Sequence, residues 1–179
     1  GGFSKEAFAE IAELGLGGLY ISEDDGGLGM GPVEGMVVME ELGRGIVLEP
    51  FAQTLIASGL LSGYAPSDVK ATWLPKIAAG EALVVLAYQE RAARYNLNMC
   101  AAKALKTDVA GDKYTLTAIK SIVVVGDKAD ALLVPAMLDG KMAMFLVERS
   151  AAGVATAGYG TQNGGRAAET AVPRFHRHP

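Results

Sequence analysis

The spacing of apolar residues divides the chain into a helical first part and a strand-rich second part. Up to about Gly80, apolar residues recur at helical intervals between glycines and prolines. Phe8 and Ile11 have this spacing, and they follow Ser4, a residue type that favours the start of a helix. Three further helices are predicted, over residues 32–42, 50–61 and 67–77.

After residue 80 the pattern changes to short runs of Val, Ile, Leu and Tyr, which predict strands over 83–88, 114–118, 121–125, 131–136 and 142–147. Asp139 and Gly140 lie between the last two runs and suit the type I′ turn of a tight hairpin. Because no helix-length segment separates the strands, the sheet is expected to be antiparallel, as a barrel or a sandwich. The predicted fold class is multidomain α+β, with an all-α helical domain followed by an antiparallel β-barrel domain.

Composition narrows the class of protein. The 179 residues are enough for one compact domain or two small ones. The 16 Lys and Arg residues against 20 Asp and Glu give a net charge of -4, which argues against a nucleic-acid partner. The longest apolar runs, 82–88 and 131–137, are far shorter than the roughly 20 residues of a membrane span, and none is expected. The single cysteine, Cys100, fits a reducing cytoplasm, which is the predicted location.

Residue chemistry alone does not identify a reaction. The glycine-rich segment 26–31 lacks the G-x-G-x-x-G spacing of a dinucleotide loop, since Pro32 and Glu34 stand where a glycine is required. It is interpreted as a tight connection. Both histidines lie at the end of the chain, so no metal site and no histidine base are expected. The polar segment Glu90–Tyr95 after the first predicted strand is either a ligand contact or a solvated turn.

Four motifs, in this order, resemble landmarks of the acyl-CoA dehydrogenase family: Gly18–Gly29, Glu40–Arg44, Trp73–Glu81 and Lys120–Gly126. The resemblance implies a helical N-terminal domain at 1–81 and a middle β-domain at 82–170, followed by an irregular tail at 171–179. Members of the family also have a C-terminal four-helix domain, and this sequence is expected to lack it.

The resemblance also implies an activity, the α,β-dehydrogenation of an acyl-CoA thioester in lipid metabolism with hydride transfer to FAD. Such enzymes are oxidoreductases that act on CH-CH donors, and they pass electrons to electron-transfer flavoprotein or a similar acceptor. Their catalytic base, a glutamate, usually lies in the C-terminal domain, so no catalytic residue is expected here. The chain is therefore expected to be a fragment that is inactive alone, within a homo-oligomer or hetero-oligomer.

The family's flavin-binding segments can be placed on this sequence. One follows the pattern thr-glu-pro-x-x-gly-ser, and matching its glutamate to Glu90 places Gln89 and Tyr95 at the threonine and the serine. A shift of one residue places Tyr88 and Arg94 there instead. All four are predicted cofactor-binding residues.

The second flavin-binding segment, trp-ile-thr-asn-gly after a lysine, falls on Ile122–Gly126 after Lys120 and adds Val123 and Val124 to the predicted FAD contacts. Apolar residues replace the family's tryptophan and threonine here. Together with Gln89–Tyr95, these departures resemble small subunits of pimeloyl-CoA-type dehydrogenases. The alternative function is therefore a non-catalytic small subunit of a heteromeric acyl-CoA dehydrogenase.

Overall fold

The computed structural model describes residues 3–107, 113–160 and 166–172, with side chains described up to residue 158. The chain forms two compact units, and the boundary between them falls between Val85 and Leu86. Within the described ranges, no helix has the length and the apolar character that a bilayer crossing requires.

The first unit contains the four helices α1 (Lys5–Glu13), α2 (Pro32–Arg44), α3 (Phe51–Tyr64) and α4 (Ser67–Ala78). Ser4 begins α1, because its Oγ accepts the N–H of Ala7 at 3.2 Å. Pro32 occupies the first turn of α2, where its missing N–H removes no helical hydrogen bond. The four predicted helices are confirmed, and α4 continues through Pro75 to Ala78.

The core of the first unit forms where the apolar face of α1 meets α3. Ile11, Leu19, Phe51 and Leu55 are buried together, and the partly buried side chains of Leu16, Tyr20, Val38, Leu42 and Val47 pack against them. In α1 and α3 the apolar residues at helical spacing therefore mark the face that is removed from water, whereas Val33, Met36 and Val37 of α2 are exposed.

The glycine-rich segment folds back on the chain that precedes it. The Leu28 N–H donates to the Gly18 oxygen at 2.9 Å, and the Gly29 N–H donates to the Ile21 oxygen at 2.7 Å. A Cβ on Gly27 would collide with backbone and side-chain atoms of Ile21 and with the Gly18 oxygen. This segment is a tight connection, in agreement with the sequence interpretation.

The strands are β1 (Val84–Leu86), β2 (Lys103–Lys106), β3 (Tyr114–Val124), β4 (Ala131–Leu138), β5 (Lys141–Glu148), β6 (Ala155–Gly160) and β7 (Arg166–Val172). They form one sheet in the order β1-β4-β2-β3-β7-β6, with β5 paired to β4. The prediction of an antiparallel β-barrel is wrong in two respects. The sheet is mixed, since β2 and β4 pair in parallel at Lys103 and Met137, and the described strands do not close into a barrel.

The parallel pair arises without a helical crossover. The prediction assumed that parallel strands need a long connection, usually a helix. Here β3 itself makes that connection: it runs antiparallel to β2, and the chain then reverses again to place β4 on the other side of β2. Two reversals restore the direction of β2, so β4 lies parallel to it.

The strand boundaries differ from the predicted ones in specific places. β3 is a single strand of 11 residues that joins the predicted strands 114–118 and 121–125, with a register shift between Lys120 and Val123. The strands β2, β6 and β7 were not predicted. β7 ends at Val172, within the first two residues of the predicted tail, and 173–179 lie outside the described residues.

The hairpin between β4 and β5 is confirmed in detail. Leu138 pairs with Lys141, so the loop contains only Asp139 and Gly140. Both loop residues have positive φ, 48° and 76°, as a type I′ turn requires.

The tight connection predicts opposite effects for two glycine-to-alanine substitutions in the first unit. Gly27→Ala is expected to lower the unfolding free energy by about 1–3 kcal/mol, because the backbone around it cannot yield to a methyl group. Gly43→Ala, in α2 with no atom near the new methyl group, is expected to raise it by up to about 1 kcal/mol. Urea unfolding measures both, and equal effects would contradict this account.

Candidate functional site

The alternating pattern of β3 places a lysine in the core of the second unit. Leu116, Ala118 and Lys120 lie on the same, buried face of the strand, and the Lys120 side chain has 0% exposure. An isolated ammonium group in an apolar interior is very unfavourable, so this position requires an acidic partner. That partner is Glu90, whose Oε1 lies 2.6 Å from the Lys120 Nζ.

Glu90 also accepts hydrogen bonds from the chain just before β2. Its Oε2 accepts the Ala101 N–H at 2.7 Å, and its Oε1 accepts the Ala102 N–H at 3.1 Å. The Cys100 thiol lies 3.7 Å from the same Oε1 and 3.9 Å from the Lys120 Nζ. One carboxylate thus connects the exit of β1, the entry of β2 and the middle of β3.

These contacts set the charge state of the two neighbouring acids. Burial by itself would raise the pKa of Glu90, but the hydrogen bonds from Lys120, Ala101 and Ala102 outweigh it and lower that pKa. The pKa of the Cys100 thiol is raised, chiefly by burial; the Lys120 charge opposes this increase and the Glu90 charge adds to it. Glu90 is therefore ionised at neutral pH, whereas Cys100 remains a thiol.

A cavity of about 330 Å³ adjoins this carboxylate. Its wall comes from the loop 88–100 and from strands β4 and β5, and it is lined by Leu86, Tyr88, Gln89, Glu90, Ala93, Arg94, Asn96, Leu97, Met99, Cys100, Pro135, Met142 and Met144. Most of this lining is apolar. A small number of polar groups in an apolar cavity is typical of a ligand-binding site.

Of the first four predicted cofactor-binding residues, three line the cavity and one does not. Tyr88, Gln89 and Arg94 line the cavity. Tyr95 is 94% exposed and does not line it. The cavity thus contains both residues of the shifted alignment, Tyr88 and Arg94, and only Gln89 from the unshifted one. Their role towards a cofactor remains a prediction.

The second predicted segment, on β3, is joined to the first by a backbone hydrogen bond. The Ser121 N–H donates to the Gln89 oxygen at 2.8 Å, which holds the exit of β1 against β3. Of the two predicted residues on β3, Val123 is buried and Val124 is 37% exposed, and neither lines the cavity.

Two residues at the end of β3 and just after it have an unusual backbone conformation. Ile122 and Val125 have φ values of 53° and 48°, in the left-handed region that branched residues avoid at a cost of about 1–2 kcal/mol each. Ile122 lies in the bulge where the register with β7 shifts, and its side chain is 51% exposed. Bulges and strained residues concentrate near functional sites.

The sequence interpretation missed the ion pair. In the sequence, Lys120 serves as a family landmark, and Glu90 as an alignment anchor and as part of a polar segment that is either a ligand contact or a solvated turn. The signal was present in the alternation of β3, since 116, 118 and 120 share one face and the first two are apolar. A lysine on the core face of a strand indicates a buried acid elsewhere in the chain.

Residues 1–81 match the family model described as the acyl-CoA dehydrogenase N-terminal domain. The acyl-CoA dehydrogenase FadE27 of Mycobacterium tuberculosis is 26% identical over 160 residues, which cover 89% of this chain and 41% of that protein.

Solved structures extend the likeness to both units. The ChsE4-ChsE5 complex from Mycobacterium tuberculosis matches 98% of this chain and 46% of its own, with a TM-score of 0.85 and 25% identity. A glutaryl-CoA dehydrogenase from Mycobacterium smegmatis in complex with FADH2 has the same fold, with a TM-score of 0.83 and 20% identity over 97% of this chain and 46% of that one.

The chain is therefore similar to the acyl-CoA dehydrogenase N-terminal domain over residues 1–81, and to acyl-CoA dehydrogenase structures in fold over nearly its whole length. It spans less than half the length of the relatives named above.

The ion pair predicts a specific dependence of stability on pH. Because the pKa of Glu90 is lowered in the folded chain, its contribution is present above about pH 4.3, the ordinary glutamate value, and is lost as the pH falls through the folded value. Glu90→Gln leaves Lys120 buried without a counter-charge and is expected to cost about 3–5 kcal/mol at pH 7. This cost should shrink below pH 4 in urea unfolding curves; a cost independent of pH would contradict the account.

The strained bulge predicts that asparagine is better tolerated at 122 than at 119. Asparagine adopts the left-handed conformation readily, so Ile122→Asn is expected to leave stability unchanged or raise it by up to about 1 kcal/mol. Ile119→Asn changes the same residue type on the same strand at an exposed site without positive φ, and should lower stability by up to about 1 kcal/mol. Equal losses in thermal unfolding would argue against strain at Ile122.

Proposed function

We propose that this chain forms the N-terminal helical domain (1–81) and the middle β-domain (82–170) of an FAD-dependent acyl-CoA dehydrogenase. One observation carries the proposal: the Ser121 N–H···O Gln89 hydrogen bond, 2.8 Å long, holds the two segments with the family's flavin-binding pattern side by side. The FADH2 complex of the related glutaryl-CoA dehydrogenase fold supports the choice of cofactor.

The residues of this region fit a flat ring with largely apolar faces. Ile122 and Val124 point partly exposed apolar side chains away from the core, while Val123 between them is buried. Tyr88 is also partly exposed, at 47%, on the residue before Gln89. The fit is weaker for polar contacts, because Ile122 and Val124 cannot donate the side-chain hydrogen bonds of a tryptophan and a threonine.

The part of this chain in such a reaction is to bind and orient. Bound FAD supplies the hydride acceptor for the β-hydrogen of an acyl-CoA thioester. Tyr88, Gln89, Arg94, Tyr95, Val123 and Val124 are the proposed contacts of this chain. The catalytic base and the remaining wall of the site come from the C-terminal portion that the longer relatives contain, and electrons pass on to electron-transfer flavoprotein or a similar acceptor.

A second function is favoured by the apolar replacements. A net hydrogen bond is worth about 0.5–1.5 kcal/mol, so loss of the hydroxyl at 124 weakens flavin binding and fits a subunit that no longer catalyses. The ChsE4-ChsE5 structure is a complex of two different chains. The alternative is therefore a non-catalytic small subunit of a heteromeric acyl-CoA dehydrogenase, of the kind found in pimeloyl-CoA-type enzymes.

Restoring the missing hydroxyl tests the flavin assignment. In the complete gene product that contains this chain, Val124→Thr is expected to strengthen FAD binding by about 0.5–1.5 kcal/mol, measured by titration of flavin fluorescence. Ile119→Thr, on the same strand outside the two segments, is the matched control and should leave the affinity unchanged.

The two functions give different outcomes. A product that contains FAD whose visible absorbance is bleached by an acyl-CoA, without a second protein, supports the catalytic proposal and excludes the small subunit. A product that binds no flavin, and gains activity only when it is purified with a second chain, supports the small subunit. Equal effects of Val124→Thr and Ile119→Thr would remove Val124 from the flavin site.

A further inference from the structure

The loop over the cavity is fastened at its two ends by a single side chain. The Glu90 carboxylate accepts the N–H groups of Ala101 and Ala102 at 2.7 and 3.1 Å. The Lys120 Nζ pairs with the same carboxylate at 2.6 Å. We propose that the Glu90–Lys120 pair is a latch: it keeps the loop 91–99 closed over the cavity, and Lys120 is a positioning residue that controls access to it.

The loop between these ends contains local turns, with the Asn96 N–H donating to the Ala93 oxygen at 2.9 Å and the Met99 N–H donating to the Asn96 oxygen at 3.2 Å. Leu97 is 70% exposed and Met99 is 47% exposed, although both line the cavity. Segments with exposed backbone bonds and little burial open at low free energy.

The proposed latch depends on one carboxylate, that of Glu90. Glu90 belongs to the cavity lining, and its two oxygens accept hydrogen bonds from both the loop end and β3. Without Lys120, Glu90 is a buried charge that is driven towards water. It would then turn outwards and release Ala101 and Ala102, and the closed loop would lose its anchor. This inference concerns the cavity alone and does not require that the cavity belong to a flavin site.

Cys100 provides a reporter for loop opening. It is the single cysteine of the chain and it lines the cavity beside the latch. Alkylation of the native protein by iodoacetamide measures access of a small reagent, and a bulky maleimide measures access of a large one. Because Lys120 and Glu90 shift the thiol pKa in opposite directions, rates are compared at equal thiolate fraction, taken from the pH dependence of each variant.

The decisive variant removes both charges, Glu90→Leu together with Lys120→Met. It contains no unpaired buried charge, so its stability should be closer to that of the native chain than the stability of Lys120→Met alone. It has no latch, and we expect Cys100 alkylation to be at least about tenfold faster than in the native chain, with less discrimination between the two reagents.

The control is Lys128→Met, the same substitution at a half-exposed lysine that lies 3.9 Å from the mostly buried Asp127 carboxylate in the same unit. Its alkylation rates should stay within about twofold of the native rates. A double variant with native alkylation rates would overturn the proposal. Rates that follow the global unfolding equilibrium in every variant would do so as well, because the pair would then only stabilise the unit.

Discussion

The contact between Lys120 and Glu90 is the constraint on which the second unit depends. Lys120 is fully buried because β3 alternates and its inner face belongs to the core. The energy of a buried ammonium then forces an acid to the same place, and that acid is at the exit of β1. Since Glu90 also accepts two backbone N–H groups near β2, the pairing of three chain segments follows from one charge.

The bulge in β3 follows directly after this contact. Lys120 points inwards, Ser121 presents its N–H to Gln89, and Val123 returns to the core one residue later than position 122, which regular alternation would bury. The extra residue is accommodated by positive φ at Ile122. The result is an exposed isoleucine at the edge of the region with the family's flavin-binding pattern.

Local patterns predicted the helices and the hairpin well, because their causes are local. Ser4, Pro32 and the pair Asp139 and Gly140 act through their own hydrogen bonds and dihedral angles. The sheet order was not predictable in this way. β2 pairs with β4 through residues far apart along the chain, Lys103 and Met137. β2 also has only four residues with one buried side chain, so its pattern is too short to be recognised.

The candidate site likewise depends on contacts between residues that are distant in the sequence. Glu90 and Lys120 are 30 residues apart, and neither has a local signal that identifies the other as its partner. The cavity was not predictable because Pro135, Met142 and Met144 reach it only through the register of β4 and β5. Tyr88 and Gln89, which line the cavity, were singled out by the family resemblance, and Arg94 also by its place in the polar segment after the first predicted strand. Their role towards a cofactor stays a prediction.

Two kinds of position in this region are under different energetic constraints. Loss of one member of the buried pair costs about 3–5 kcal/mol, a large part of the stability of a small unit. Under the proposed flavin assignment, loss of a hydroxyl at 124 costs only about 0.5–1.5 kcal/mol, and that cost falls on ligand binding and not on folding. The buried pair therefore holds the fold around the cavity independently of the residues at 122 and 124.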